Sequence, residues 1–170
     1  LVNGVPKVMN LRELLQHYVA HRETVVRRRA EYDIRKARER EHVLEGLKIA
    51  VDNIDEVVAI IRGSDDTETA DARLRERFGL SEIQSKAILD MRLARLTGLE
   101  IEKLEAELAE VRATIEDLTD ILSSETRRWT IVKDELREVA QAYGDERRTR
   151  IVADATDLTL EDLIADEPMV

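Results

Sequence analysis

Between Leu104 and Tyr143 the apolar positions recur in alternating steps of four and three: Leu104, Leu108, Val111, Ile115, Leu118, Leu122, Trp129, Val132, Leu136, Val139 and Tyr143. Glu125 occupies the one polar position in the series, and the count stays in phase on both sides of it. That spacing predicts a single apolar stripe along a helix, the seam of a coiled coil. At 1.5 Å per residue the stripe extends for roughly 60 Å. A seam that long requires a partner of similar length, and the chain supplies one upstream.

Asn10 is a good N-cap for a first long helix, with Leu11, Leu14, Leu15, Tyr18 and Val19 as its opening apolar face. The apolar positions continue through Val26, Ala30, Ile34, Ala37, Leu44, Leu47 and Val51 without a proline. The middle of this segment is basic, with Arg27, Arg28, Arg29, Arg35, Lys36, Arg38 and Arg40. The second long segment is acidic, with Glu100, Glu102, Glu105, Glu107, Glu110, Glu116, Asp117 and Asp120. Opposite signs and matched lengths predict an antiparallel pair in which facing residue numbers add to about 150, and the basic stretch 27–40 meets 110–123. Single exposed ion pairs contribute under ~1 kcal/mol, but a row of them sets orientation and register.

Residues 51–98 read differently. Asp52-Asn53 open a short helix carrying Ile54, Val57, Val58, Ile60 and Ile61, which ends at Arg62-Gly63. Thr67 caps a second that runs to Phe78 and stops at Gly79, and Ser81-Glu82-Ile83-Gln84 forms a capping box for a third that ends at Thr97-Gly98. The expected fold is therefore all-α: a long antiparallel two-helix coiled coil with a small helical dimerisation knob at its tip. Residues 1–50 form the first stalk helix, 51–98 the knob, 99–150 the returning stalk helix, and 151–170 a linker. The expected seam comprises Val26, Ala30, Ile34, Ala37, Leu44, Leu104, Leu108, Val111, Ile115, Leu118 and Leu122.

The third knob helix carries more apolar surface than a knob of this size can cover by itself. Ile83, Ala87, Ile88, Met91, Leu93 and Leu96 are accordingly the candidate dimer interface, pairing two copies about a twofold axis. The competing reading packs these side chains against the knob's own helices.

Composition narrows the chemistry. Charged residues make up 38% and aromatics 3% of 170 residues, a profile of long solvated helices. The chain has no cysteine, which removes disulfides and thiolate metal sites. No apolar run reaches the ~20 residues needed to span a bilayer, so no membrane partner is expected. The formal net charge of −10 argues against DNA binding by the surface as a whole. His17 and His21 have a metal-gripping spacing, but Tyr18 stands where the zinc-protease pattern needs a Glu, and His42 is about six turns away. Tyr32 lies among arginines as a stacked aromatic rather than a nucleophile, and Asp65-Asp66 read as a turn. Neither a catalytic residue, a metal site nor a cofactor site is expected in this segment. The opening Leu1-Val2-Asn3-Gly4, with no Met, suggests a piece of a longer protein.

Several runs resemble the A subunits of DNA gyrase and, next to them, of topoisomerase IV, within the type IIA topoisomerases. They are Leu1 to Leu11; His21-Arg22; Val25 to Arg29; Arg35 to Arg38; His42 to Leu47; Asp52 to Asp55; Gln84-Ser-Lys-Ala-Ile-Leu-Asp90; Met91 to Glu100; and Tyr143 to Ile151. Asp90-Met-Arg-Leu93 and Leu96-Thr-Gly-Leu-Glu100 look more like gyrase. The resemblance implies the coiled-coil stalk and exit gate (C-gate) of a DNA-supercoiling isomerase, a homodimer through the knob that lets a transported duplex leave. It also implies the gyrase B subunit as partner in an A2B2 complex, with ATP and magnesium bound through that partner. A bacterial cytoplasmic, nucleoid-associated location follows from the same resemblance, as does weak or no DNA binding by the segment alone. A structural coiled-coil stalk with a dimerising hinge is the alternative from another class.

Overall fold

A computed structural model describes residues 2, 4–92 and 97–149. Six helices account for most of it: α1 (Leu11–Asp52), α2 (Ile54–Arg62), α3 (Thr67–Phe78), α4 (Glu82–Leu89), α5 (Gly98–Ser123) and α6 (Glu125–Tyr143). The chain divides into two units, residues 1–135 and 136–170.

In the first unit, α1 starts where its cap dictates. The Asn10 side chain accepts from the Glu13 amide at 2.9 Å, and Glu13 accepts from the Asn10 amide at 3.2 Å. This capping box satisfies two donors that the first turn would leave orphaned. Forty-two residues follow without interruption, about 63 Å of helix. Val26, Ala30, Ile34 and Leu44 are buried along one side, and Ala37 is half-buried. On α5, Leu108 is buried, while Leu104, Val111, Ile115, Leu118 and Leu122 are half-buried.

The chain returns antiparallel to α1, as ion pairs from α1 to α5 and to the first turn of α6 demonstrate. Arg40 meets Glu107 at 2.6 Å, Lys48 meets Glu105 at 2.7 Å, Arg112 meets Glu41 at 3.1 Å and Arg128 meets Glu23 at 2.6 Å. In these four pairs the residue numbers add to between 147 and 153. Leu44 accordingly shares a crevice with Lys103, Leu104 and Glu107.

The expected meeting of stretch 27–40 with 110–123 does not occur among the described ion pairs. Arg29 and Arg40 cross to Glu135 and Glu107, outside that window. Asp117 and Asp120 are both taken by Arg127 of their own arm. The reason is rotational: Arg28 and Arg35 are exposed on the side away from the buried Val26–Ala30–Ile34 line of α1, and Arg38 is exposed on its flank toward Ile83 of α4.

Two expected helix boundaries also shift. The third short helix ends at Leu89 instead of continuing to Thr97, with Asp90 as its C-cap. The returning helix breaks at Ser124, whose backbone is extended (φ −107, ψ 110). The Arg128 guanidinium donates to the Ile121 and Leu122 carbonyls at 3.2 and 2.8 Å, satisfying acceptors at the end of α5. Ser124 Oγ accepts from the Arg127 amide at 3.3 Å and starts α6.

The short helices fold against the far end of α1. Leu47 and Ala50 of α1 share one core with Val57, Leu74, Leu80 and Ile88. Asp66, not the expected Thr67, caps α3 by accepting from the Thr69 amide at 2.7 Å, and Gly79 ends it at φ 66, in the left-handed region where a side chain would be strained. In the second unit, the described residues finish α6, where Val139 and Tyr143 are exposed, and continue to Thr149.

Candidate functional site

α4 carries Ile83, Ala87 and Ile88 of the residues that the sequence singles out as an interface, with Met91 just beyond its end, and its placement depends on polar contacts as much as on packing. The Gln84 side-chain amide donates to the His42 carbonyl at 2.8 Å, and His42 Nε2 lies 2.7 Å from Ser81 Oγ. Ser81 and Gln84 complete the expected capping box, with the Gln84 Oε1 accepting from the Ser81 amide at 3.0 Å. Ser85 is fully buried and its hydroxyl donates to the Asp71 carboxylate on α3. That hydrogen bond, with Arg75 in support, holds the Asp71 carboxyl below the ordinary aspartate range. Gly46 makes the α1–α4 approach possible: a Cβ there would stand 2.7 Å from both Cβ and Cγ of Gln84.

Held in this way, α4 does not present all its apolar residues alike. Ile88 is 3% exposed and belongs to the core of its own unit. Ala87 and Met91 are half-buried against that core, and Ile83 is 62% exposed. Leu93 and Leu96 lie outside the described residues. Ile83 shares a concave surface with Ile34, Arg35, Arg38, His42 and Val43 of α1, whereas Met91 lies elsewhere. Met91 and Leu89 join Ile54, Val57, Val58 and Ile61 of α2 in an apolar groove of about 450 Å³. The contribution of α2 was readable as an apolar face, but its meeting with Leu89 and Met91 is a tertiary fact.

The electrostatics favour permanent charge. Glu39 is held below its ordinary range by a hydrogen bond from Lys36, and Glu82 by one from Lys86. Lys48 is held above its range by Glu105 and then Asp52. Glu135 is held low by Arg29 and by Arg22. Each shift stabilises the charged form, the reverse of what a general acid or base working near neutrality needs. Among the described residues, no group of three His, Cys, Asp or Glu side chains is placed to hold a metal ion. No helix there is long and apolar enough to cross a membrane.

The family model of the DNA gyrase/topoisomerase IV A subunit matches residues 1–137. The chain belongs to this family. The DNA gyrase A subunit of Clostridium acetobutylicum is 51% identical over 170 residues, which is all of this chain and 20% of that protein. The DNA gyrase A subunits of Staphylococcus epidermidis and Staphylococcus aureus Mu50 are 53% and 52% identical over 171 residues, again all of this chain and 19% of each relative. The chain therefore spans about one-fifth of the gyrase proteins it matches.

Proposed function

We propose that this chain is the coiled-coil stalk and exit gate of the A subunit of a DNA gyrase, and that two copies meet through the tip formed by α2, α3 and α4. The observation that carries this reading is the apolar groove of α2 and α4, with Ile61 37% exposed at its margin. A groove of that composition is satisfied by a matching apolar surface, and a twofold pairing of like surfaces is the commonest way to supply one. In this reading the α1–α5 pair is a lever that sets the tip apart from the site of DNA cleavage. The duplex leaves when the tips separate. ATP, magnesium and the gyrase B subunit act elsewhere in the assembled bacterial enzyme, and this segment supplies none of the covalent chemistry. The gyrase assignment is preferred to topoisomerase IV because relatives named as the A subunit of DNA gyrase match over the entire chain.

Two experiments test the reading. Sedimentation equilibrium should show a dimer that Ile61→Glu and Met91→Glu disrupt, since each would bury an unpaired carboxylate at a cost of several kcal/mol. Circular dichroism should show the Ile61→Glu variant still folded. Because the chain lacks cysteine, one cysteine placed across the proposed twofold axis can lock the gate by oxidation. In the full-length enzyme the lock should leave DNA cleavage intact and block repeated supercoiling until reduction. A locked enzyme that supercoils at the unlocked rate would overturn the proposal.

A further inference from the structure

The exposed surface of α1 away from its buried line carries three arginines that stand in no ion pair among the described residues. Arg28 and Arg35 are seven residues apart, two helical turns, and share one stripe; Arg38 lies one turn further on its flank. All three are exposed. Glu31 and Glu39 line the same surface as Arg35 and Arg38. Each is paired with another cation, Glu31 with Arg27 at 3.6 Å and Glu39 with Lys36 at 2.8 Å, and Arg35 adds only a lesser electrostatic contribution to Glu39. Tyr32, 52% exposed, lies between the first two arginines, and the Arg35 guanidinium sits 5.4 Å from its ring centroid. That stacking orders the guanidinium without neutralising it. Other cations of α1 are committed to carboxylates: Arg22 and Arg29 to Glu135, Arg40 to Glu107, Lys48 to Glu105 and Asp52.

We infer that Arg28, Arg35 and Arg38, ordered by Tyr32, form a contact stripe for the phosphate backbone of duplex DNA on the outer face of α1. Three unpaired guanidinium groups spread over about 15 Å of helix match a row of phosphates, and arginine presents the forked donors that phosphate oxygens accept. The net charge of −10 over the whole chain limits the strength of that contact. A weak, salt-sensitive hold suits a surface past which a duplex must move, because firm binding would retain it. The gate reading supplies duplex DNA as the polyanion, and to that extent the inference rests on it.

The test is fluorescence anisotropy of a short labelled duplex titrated with the 170-residue chain over a range of potassium chloride concentrations. The wild-type chain should bind measurably at low salt and release as salt rises. The triple variant R28Q/R35Q/R38Q should lower the slope of log K against log salt by about 2–3, near 0.9 for each phosphate no longer neutralised. Arg40→Gln, whose parent side chain is paired with Glu107, should leave the slope unchanged. Circular dichroism checks that the triple variant keeps its helix content, and a misfolded triple variant is replaced by the three single variants, each expected to lower the slope by about 1. Absence of duplex binding by the wild-type chain at low salt would overturn the inference. So would an unchanged slope in the folded arginine variants, or an equal decrease in Arg40→Gln. Sedimentation equilibrium on the same preparation keeps the two proposals apart, since a dimer without DNA binding defeats the stripe alone, and a DNA-binding monomer defeats the gate alone.

Discussion

Replacing Gly46 by alanine separates two effects of opposite sign. In an exposed helix interior the change stabilises by about 1 kcal/mol, because alanine loses less backbone entropy than glycine. At Gly46, however, the new methyl would stand 2.7 Å from Cβ and Cγ of Gln84 and 3.2 Å from its Cδ. Ordinary contact begins near 3.4 Å, so α1 and α4 must part by several tenths of an ångström. α4 has little freedom to yield, since Gln84 is hydrogen-bonded to the His42 carbonyl and Ser85 to Asp71. Overpacking of this kind costs roughly 1–3 kcal/mol, which exceeds the propensity gain. Gly46→Ala should therefore destabilise the chain by about 1–2 kcal/mol in urea unfolding followed by circular dichroism. Gly98→Ala is the control: nothing stands within 4 Å of its added Cβ, and it should be neutral or mildly stabilising. Gln84→Ala should rescue Gly46→Ala only in part, because the offending Cβ remains. Stabilisation by Gly46→Ala equal to the propensity gain would refute the close approach of α1 and α4.

Leu44→Ala should cost about 2–5 kcal/mol in the same assay, because Leu44 is 1% exposed between the two arms, whereas Val8→Ala, at 98% exposure, should shift stability by less than ~0.5 kcal/mol. Glu135 is held below its ordinary range by Arg29 and Arg22, so at intermediate acidity the unfolded chain binds more protons than the folded one. Its contribution is present above the ordinary glutamate range and is lost as pH falls through the lower folded value. Unfolding midpoints measured from pH 7 downwards should thus fall less steeply for Glu135→Gln than for the parent chain, and parallel curves would count against the Arg22–Glu135–Arg29 cluster.

The signals that were readable in the sequence are those with a local cause. Asn10 and Ser81 cap helices through their own side chains, and Gly79 ends one through its backbone conformation, so each boundary lies within a few residues of its signal. The break at Ser124 was hidden for the same reason that the stripe was conspicuous. The apolar count stays in phase across it, and phase reports which face is buried, not whether the backbone is continuous. Ser123-Ser124 was the available signal, but its partner is the Arg128 side chain four residues on, satisfying the Ile121 and Leu122 carbonyls. At the candidate site, the apolar character of α4 was visible while its allocation was not. Ile88 faces inward because Ser85, one turn earlier, is drawn to Asp71, a contact between helices that no spacing along the chain encodes.

Charge was the most misleading signal, and the reason is general to long helix pairs. A basic run facing an acidic run suggests attraction across the seam, yet only side chains flanking the seam can reach the partner helix. Arg40 and Lys48 flank it and pair with Glu107 and Glu105. Arg28 and Arg35 belong to the same run but point away, Arg38 faces the α4 side, and Asp117 and Asp120 find Arg127 on their own arm instead. The useful quantity is therefore the angle of each charge about the helix axis, measured from the buried Val26–Ala30–Ile34–Leu44 line. Charges close to that line set the register of the two arms, while those opposite it contribute little to holding the arms together and remain available to a third molecule. The arginines that fail to explain the stalk are for this reason the ones that point to a partner outside it.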